Sequence, residues 1–276
     1  MKVFKATSTL DSFIESVDLT KNPDEAEVIL VGGKKIDLTG FPKLKGIFKC
    51  GVGTDNLPFK EAKEKGVLIK LPSDKTNEII FEETANFTCH LILEGLYSEI
   101  GTWDNWVKEK RNMLSGKKLL VIGTGRIGGR VASKMSSFMS VTTYDTANDN
   151  VDQLPSLIEQ ADCISLHIPL TDETKGFFDA KKLCLMKKGA ILVNTARGPI
   201  VNEDSLYDAL KKQHIKAVFD VFWQEPYQGK LMEFAPDRFM VSPHVASTCK
   251  EFIEGCAKDF LNFVSMLEGT TTIGQL

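Results

Sequence analysis

The sequence predicts an α/β protein built from doubly wound parallel sheets, and three observations lead there. Short apolar runs alternate with helix-length segments through the first third of the chain. The same alternation restarts more strongly after Ser115. In that second stretch a glycine-rich turn, Gly123-Thr124-Gly125-Arg126-Ile127-Gly128, joins an apolar run to a helical segment.

Taken in order, residues 3–6, 28–31 and 46–50 read as short buried strands, 58–65 as a helix and 67–70 as another strand. The mostly apolar, proline-free stretch 81–96 reads as a long helix. Residues 97–114 hold Trp103 and Trp106 among charges and read as a connecting arm or a surface that a partner covers. Beyond them, strands are expected at 118–122, 141–145, 163–168, 191–194, 216–221 and 239–241. Helices are expected at 127–138, 151–160 and 202–213. The last segment, 250–267, sets Phe252, Cys256, Phe260 and Phe263 along one apolar stripe.

Composition narrows the function classes. Of 276 residues, 42% are hydrophobic and 26% charged, an ordinary globular balance with room for one large or two modest domains. A formal net charge of −3 without a long basic run gives no electrostatic reason to expect nucleic acid or a membrane as partner. No apolar run approaches the roughly 20 residues of a membrane span, and no signal peptide is expected. The scattered cysteines (Cys50, Cys89, Cys163, Cys184, Cys249, Cys256) form no C-x-x-C pair. Reduced thiols, a cytoplasmic location and no metal site are expected.

The glycine turn carries a specific chemistry. Gly123 permits a tight turn, Gly125 lets the backbone approach a pyrophosphate, and Gly128 lets helix and strand pack closely. Arg126 and Ile127 complete the turn, and the helix start offers free N–H groups to the anion. Asp145 ends the next expected strand, where a carboxylate accepts both adenosine ribose hydroxyls and repels a 2′-phosphate. Thr146 and Ala147 supply no arginine for such a phosphate. The expected cofactor is therefore NAD rather than NADP.

Four polar segments each follow an expected strand, where open α/β sheets bind ligands. They are Gly51-Val52-Gly53-Thr54-Asp55-Asn56, Asn194-Thr195-Ala196-Arg197-Gly198, Asp220-Val221-Phe222-Trp223-Gln224-Glu225-Pro226 and Ser242-Pro243-His244-Val245-Ala246-Ser247. Together with the glycine turn and Ser165-Leu166-His167-Ile168-Pro169-Leu170-Thr171, they resemble the D-isomer-specific 2-hydroxyacid dehydrogenases. The resemblance runs over nearly the whole chain and is densest from Gly116 to Ser247.

That resemblance implies a Rossmann NAD-binding domain at 94–246. It also implies a flavodoxin-like substrate (catalytic) domain formed by 1–93 with 247–276, and a substrate cleft that closes over the reactants. The implied reaction moves a hydride between nicotinamide and C2 of a small D-2-hydroxy or 2-keto acid. Arg197 is implied as the grip on the substrate carboxylate and keto oxygen, which suits a forked, permanently charged guanidinium. His244 is implied as the acid/base at that oxygen, with Glu225 as the carboxylate that stabilises its imidazolium. The backbone N–H groups of Val52 and Gly53 are implied as a second cradle for the substrate carboxylate. Ala196 is implied beside the nicotinamide ring, Asp220 near its carboxamide, and His167, Pro169 and Thr195 as further cofactor contacts. His90 and His214 read as ordinary surface or core residues. A homodimer through the cofactor domains is implied, with the arm around Trp103 and Trp106 as its contact.

Three features depart from the family pattern. The stretch 7–24 is short. Gly32-Gly33 stands where many phosphoglycerate dehydrogenases carry Arg-Ser, with Lys34 and Lys35 as the nearby basic groups. The chain ends one helix past His244, so no serine-sensing domain is expected after it. Glyoxylate, hydroxypyruvate and 3-phosphoglycerate all stay open as substrates. A formate dehydrogenase-like enzyme would pair the histidine with glutamine instead of Glu225. An NAD-sensing, corepressor-like binding protein of the same fold remains the alternative of a different class.

Overall fold

The computed structural model describes residues 1–269, so the part of the expected substrate domain at 270–276 lies outside the described residues. The chain divides into two compact units. Unit one is Met1–Ile80 with the chain from Thr248 onward, and unit two is Phe81–Ser247.

Unit one holds strands β1 (Val3–Lys5), β2 (Leu19–Thr20), β3 (Val28–Val31), β4 (Gly46–Lys49) and β5 (Leu68–Lys70), with helix α1 (Phe59–Glu64) and the start of α2 (Asp74–Leu96). All strands run parallel in the order β2-β1-β3-β4-β5, the order of flavodoxin-like sheets. Every residue of β3 and β4 is buried, as expected of central parallel strands covered on both faces. The short stretch 7–24 contributes a 3-10 turn (Asp11–Phe13) and the two-residue edge strand β2. Two residues show no period, which is why β2 has no sequence signal.

Helix α2 begins seven residues ahead of the apolar stretch that marks it in the sequence. Its first turn is polar and is capped from outside the helix. Asp259 Oδ2 accepts from Ser73 N (2.8 Å) and Thr76 Oγ1 (2.7 Å), and Asn77 N donates to Ser73 O (2.8 Å). The same helix explains why the units part after residue 80 rather than at 93. Ile80 packs in the core of unit one, whereas Ala85, Leu91 and Ile92 pack with Leu119, Val121 and Val193 in unit two.

Unit two begins with a small hairpin in the expected arm, β6 (Gly101–Thr102) paired antiparallel with β7 (Val107–Lys108). Trp103 and Trp106 stand on it 80% and 65% exposed, their rings edge-on at 4.9 Å. The main sheet comprises β8 (Lys118–Ile122), β9 (Ser140–Tyr144), β10 (Cys163–Leu166), β11 (Ala190–Asn194), β12 (Ile215–Phe219) and β13 (Phe239–Val241). It is fully parallel in the order β13-β12-β11-β10-β8-β9. Helices α3 (Gly128–Met135), α4 (Leu154–Gln160), α5 (Ala180–Leu185) and α6 (Glu203–Lys211) lie between the strands in the chain. Helix α5 is absent from the sequence expectation. Its signal was present, since Asp179 caps it by accepting from Lys182 N at 2.9 Å.

The final helix, α7 (Lys250–Leu267), returns to unit one with the bounds and stripe expected. Phe260 and Phe263 lie 5.5 and 5.9 Å from the Phe48 ring of β4. Each such buried ring contributes about 1.5–3 kcal/mol by area. Gly46 makes the close approach possible, since a Cβ there would stand 2.6 Å from Phe263.

Candidate active site

The register of the unit-two sheet aligns the site. Tyr144, Ile122, Leu166, Asn194, Phe219 and Val241 are paired neighbour to neighbour and form one row at the carboxyl end of six strands. The next residue in each strand is therefore Asp145, Gly123, His167, Thr195, Asp220 or Ser242. Strand order reverses between β8 and β10, with β9 on the far side of β8, and that reversal point is where doubly wound sheets take their ligand.

At the reversal point the glycine turn is sterically obligatory. Gly123 has φ +94°, and a Cβ there would lie 2.6 Å from His167 O. A Cβ on Gly128 would lie 1.9 Å from Gly123 O. At Gly125, by contrast, a Cβ would meet nothing within 4 Å, so the backbone there lies open to an approaching group. No side chain caps the start of α3, and a helix start that follows a glycine turn is where a dinucleotide-binding fold presents backbone N–H groups to an anion. The Arg126 guanidinium lies over the Phe81 ring at 5.0 Å, and Arg130 Nη1 donates to Arg126 O (2.6 Å).

Asp145 is tied to this turn. Its Oδ2 accepts from Thr124 Oγ1 (2.6 Å) and Thr124 N (3.2 Å), and its Oδ1 accepts from Ala147 N (3.0 Å). These bonds, the Thr124 hydroxyl first, hold the carboxyl below the usual aspartate range and so keep it ionised. The part played by Thr124 was not legible in the sequence. His167 shares a hydrogen bond with Ser165 Oγ (2.8 Å), and burial lowers its pKa to about 4, so the ring is neutral at pH 7. Pro169 is exposed two residues on.

The loops after β11, β12 and β13 carry the remaining polar groups. Buried Asn194 shapes the first, accepting from Ala196 N (3.0 Å) and donating to Arg197 O (2.8 Å). Thr195 Oγ1 donates to Thr88 Oγ1 (2.9 Å), whose own proton goes to Thr84 O (2.7 Å), so the loop is fastened to α2. Arg197 Nη1 donates to Ala196 O at 2.7 Å.

His244 Nδ1 donates to Glu225 Oε2 at 2.7 Å, while Glu225 Oε1 accepts from Phe222 N (3.1 Å). Partial burial works to raise the Glu225 pKa. The His244 hydrogen bond and charge, the Phe222 N–H and the Arg197 charge together outweigh it and leave the carboxyl below its usual range. Arg197, Glu225 and His244 are thus brought together electrostatically. With Nδ1 engaged by Glu225, Nε2 is the other ring nitrogen at which His244 can exchange a proton.

His244 has φ +54°, a left-handed conformation that costs a residue of this kind about 1–3 kcal/mol. Asp220, fully buried, holds the loop in it. The carboxylate accepts from Ser242 Oγ (2.6 Å), Val245 N (2.9 Å) and Ala246 N (2.9 Å), and so straddles His244. The sequence gives no sign of this clamp. In unit one, Val52 and Gly53 sit in the turn after β4, which Gly51 opens at φ +112°. Among the described residues no group of three or more His, Cys, Asp or Glu could hold a metal, and no helix is long and apolar enough to cross a membrane.

A glycine turn at the reversal point of a doubly wound sheet, with an ionised aspartate on the next strand, is the layout of a dinucleotide-binding domain. Comparison with known proteins agrees. Residues 96–246 match the model of the D-isomer specific 2-hydroxyacid dehydrogenase NAD binding domain. The chain is 33% identical over 254 residues to D-3-phosphoglycerate dehydrogenase of Methanocaldococcus jannaschii, covering 85% of this chain but only 48% of that protein. It is 32% identical over 258 residues to glyoxylate reductase of Korarchaeum cryptofilum, covering 85% and 74% of the two chains. Among solved structures it is similar to D-lactate dehydrogenase of Aquifex aeolicus complexed with NAD and lactic acid, with TM-score 0.82, 25% identity and 100% of both chains covered. The chain belongs to the D-isomer-specific 2-hydroxyacid dehydrogenase family and carries its NAD binding domain.

Proposed function

We propose that this chain interconverts a small D-2-hydroxy acid and its 2-keto acid. In this reading its substrate is of the glyoxylate, hydroxypyruvate or 3-phosphoglycerate kind. The observation that carries the reading is the His244–Glu225 pair, 2.7 Å apart, with the Arg197 charge acting on the same carboxylate. Two relatives named glyoxylate reductase and D-3-phosphoglycerate dehydrogenase support the substrate class.

Gly123, Gly125, Arg126, Ile127 and Gly128 would hold the pyrophosphate, and Asp145 the adenosine ribose. His167, Pro169, Thr195 and Ala196 would line the remaining length of the dinucleotide, whereas Asp220, fully buried, would act from behind by holding the 242–246 loop. When bound, NAD supplies the hydride donor or acceptor. Arg197 then binds the substrate carboxylate and draws electron density toward the keto oxygen through charge-assisted hydrogen bonds. His244 carries a proton on Nε2 and delivers it to that oxygen in reduction, or accepts it in oxidation. Glu225 stabilises the imidazolium through Nδ1 and fixes the ring plane. Val52 and Gly53 serve in this reading as backbone donors to the substrate carboxylate.

We also infer a homodimer joined through the unit-two arm, since two exposed tryptophans side by side are the residues most enriched in interface centres. Six free cysteines favour a cytoplasmic setting. The test is NADH oxidation against a panel of 2-keto acids. Turnover of at least one acid is expected. Tight NADH binding with turnover of none would replace the enzyme by an NAD-sensing binding protein.

A further inference from the structure

Two aromatic residues flank Glu225 in the chain, and the acid–base chemistry does not use either of them directly. Trp223 lies two residues before it and Tyr227 two residues after. Trp223 Nε1 donates to Val201 O (2.8 Å), which closes the short 3-10 turn Gly198–Ile200 directly after Arg197. The indole stacks on Phe219 at the end of β12 (5.8 Å, 23° between planes) and lies 5.8 Å from the Tyr227 ring. Tyr227 Oη donates to Glu203 Oε1 (2.6 Å) in the first turn of α6, and its ring stacks on Phe222 at 5.1 Å. The backbones meet as well. A Cβ on Gly198 would stand 2.1 Å from Phe222 C, so the chain after Arg197 lies against the chain that carries Glu225.

Between Phe219 and Lys230 the chain forms no helix or strand, and the Glu225 side chain is 35% exposed. Its position is therefore set by side-chain ties rather than by a hydrogen-bond ladder. We infer that Trp223 and Tyr227 are positioning residues for the acid–base pair. They anchor the Glu225 segment on both sides, one to the turn behind Arg197 and the other to α6, and so hold the carboxylate within reach of His244 and at a set spacing from Arg197. The inference rests on the reading of His244 and Glu225 given above. The charged groups near Glu225 are His244 from the loop after β13 and Arg197 from the loop after β11. Asp220, on its own segment, is engaged by the 242–246 loop, and Glu203 is engaged by Tyr227.

Trp223→Phe keeps an aromatic ring and removes the N–H, and Tyr227→Phe removes only the hydroxyl. One lost tie of this kind corresponds to about a 3- to 10-fold change. Each variant should lower kcat/KM for glyoxylate or hydroxypyruvate by that factor, with the NADH dissociation constant changed less than about twofold. The alkaline limb of the pH–rate profile for keto-acid reduction should move to lower pH, because a loosely held carboxylate stabilises the imidazolium less. The His244 imidazole proton resonance of the free protein should show the same displacement on titration, which requires no turnover. The double variant Trp223→Phe/Glu225→Gln should lose no more than Glu225→Gln alone. A lower Tm with an unmoved pH profile and an unmoved His244 titration would reduce both residues to packing and overturn the inference. Losses that multiply with Glu225→Gln would also overturn it. Full turnover in His244→Gln would instead bring down the acid–base reading, and the bracing role with it.

Discussion

Asp220→Asn tests the clamp that holds His244 in its left-handed backbone. The carboxylate is fully buried and accepts from three donors, two of them the backbone N–H groups that follow His244. An asparagine has the same shape but only one acceptor oxygen. Ser242 can reverse its hydroxyl and accept from the new NH2 group, whereas Val245 N–H and Ala246 N–H cannot reverse. One of them must therefore face a donor. A buried donor left unsatisfied costs about 1–3 kcal/mol, and the surviving bonds lose their charge assistance, which adds roughly another 1 kcal/mol. The expected destabilisation is about 2–4 kcal/mol in urea, read as a lower midpoint at an unchanged m-value. Turnover should fall as well, because the strain at His244, about 1–3 kcal/mol, is released once the loop is unclamped. Ser242→Ala removes one of the three donors to the Asp220 carboxylate and leaves both backbone bonds in place, so it should cost less, about 1 kcal/mol. Destabilisation below about 0.5 kcal/mol in Asp220→Asn would refute the clamp.

Other expectations follow from the same geometry. His244→Gln should cut kcat by about 10²- to 10⁴-fold while NADH titration shows binding retained. Arg197→Ala should lower kcat/KM and raise KM together, so an unchanged kcat/KM with the best keto acid would remove Arg197 from the site. Asp145→Ala should erode the preference for NAD over NADP, measured by titrating both cofactors. His167 supplies a pH test. Its folded pKa of about 4 lies below the usual histidine value, so its contribution is present in full above about pH 6.5 and is lost as pH falls toward 4. The loss is on the order of 2–3 kcal/mol. Denaturation midpoints of wild type and His167→Asn, compared from pH 7 to 4, should converge, and parallel curves would contradict the assignment.

The part of this protein that is legible residue by residue is local and contiguous. The central strands after Ser115, the glycine turn and the three polar loops could all be read, because burial inside a parallel sheet leaves an unbroken apolar run and a loop begins where that run stops. The stripe on α7 was legible for the same reason, since one helical period is written within one segment. Tertiary structure decided whatever depends on backbone groups meeting across many residues. The row that aligns Asp145, Gly123, His167, Thr195, Asp220 and Ser242 is a matter of strand register. The clamp of Asp220 on Val245 and Ala246, and the tie of Thr124 to Asp145, join residues more than twenty positions apart. The early start of α2 depends on Asp259, far along the chain. A backbone N–H is present at nearly every residue and leaves no mark in the sequence, so only the fold selects which ones a given carboxylate will meet.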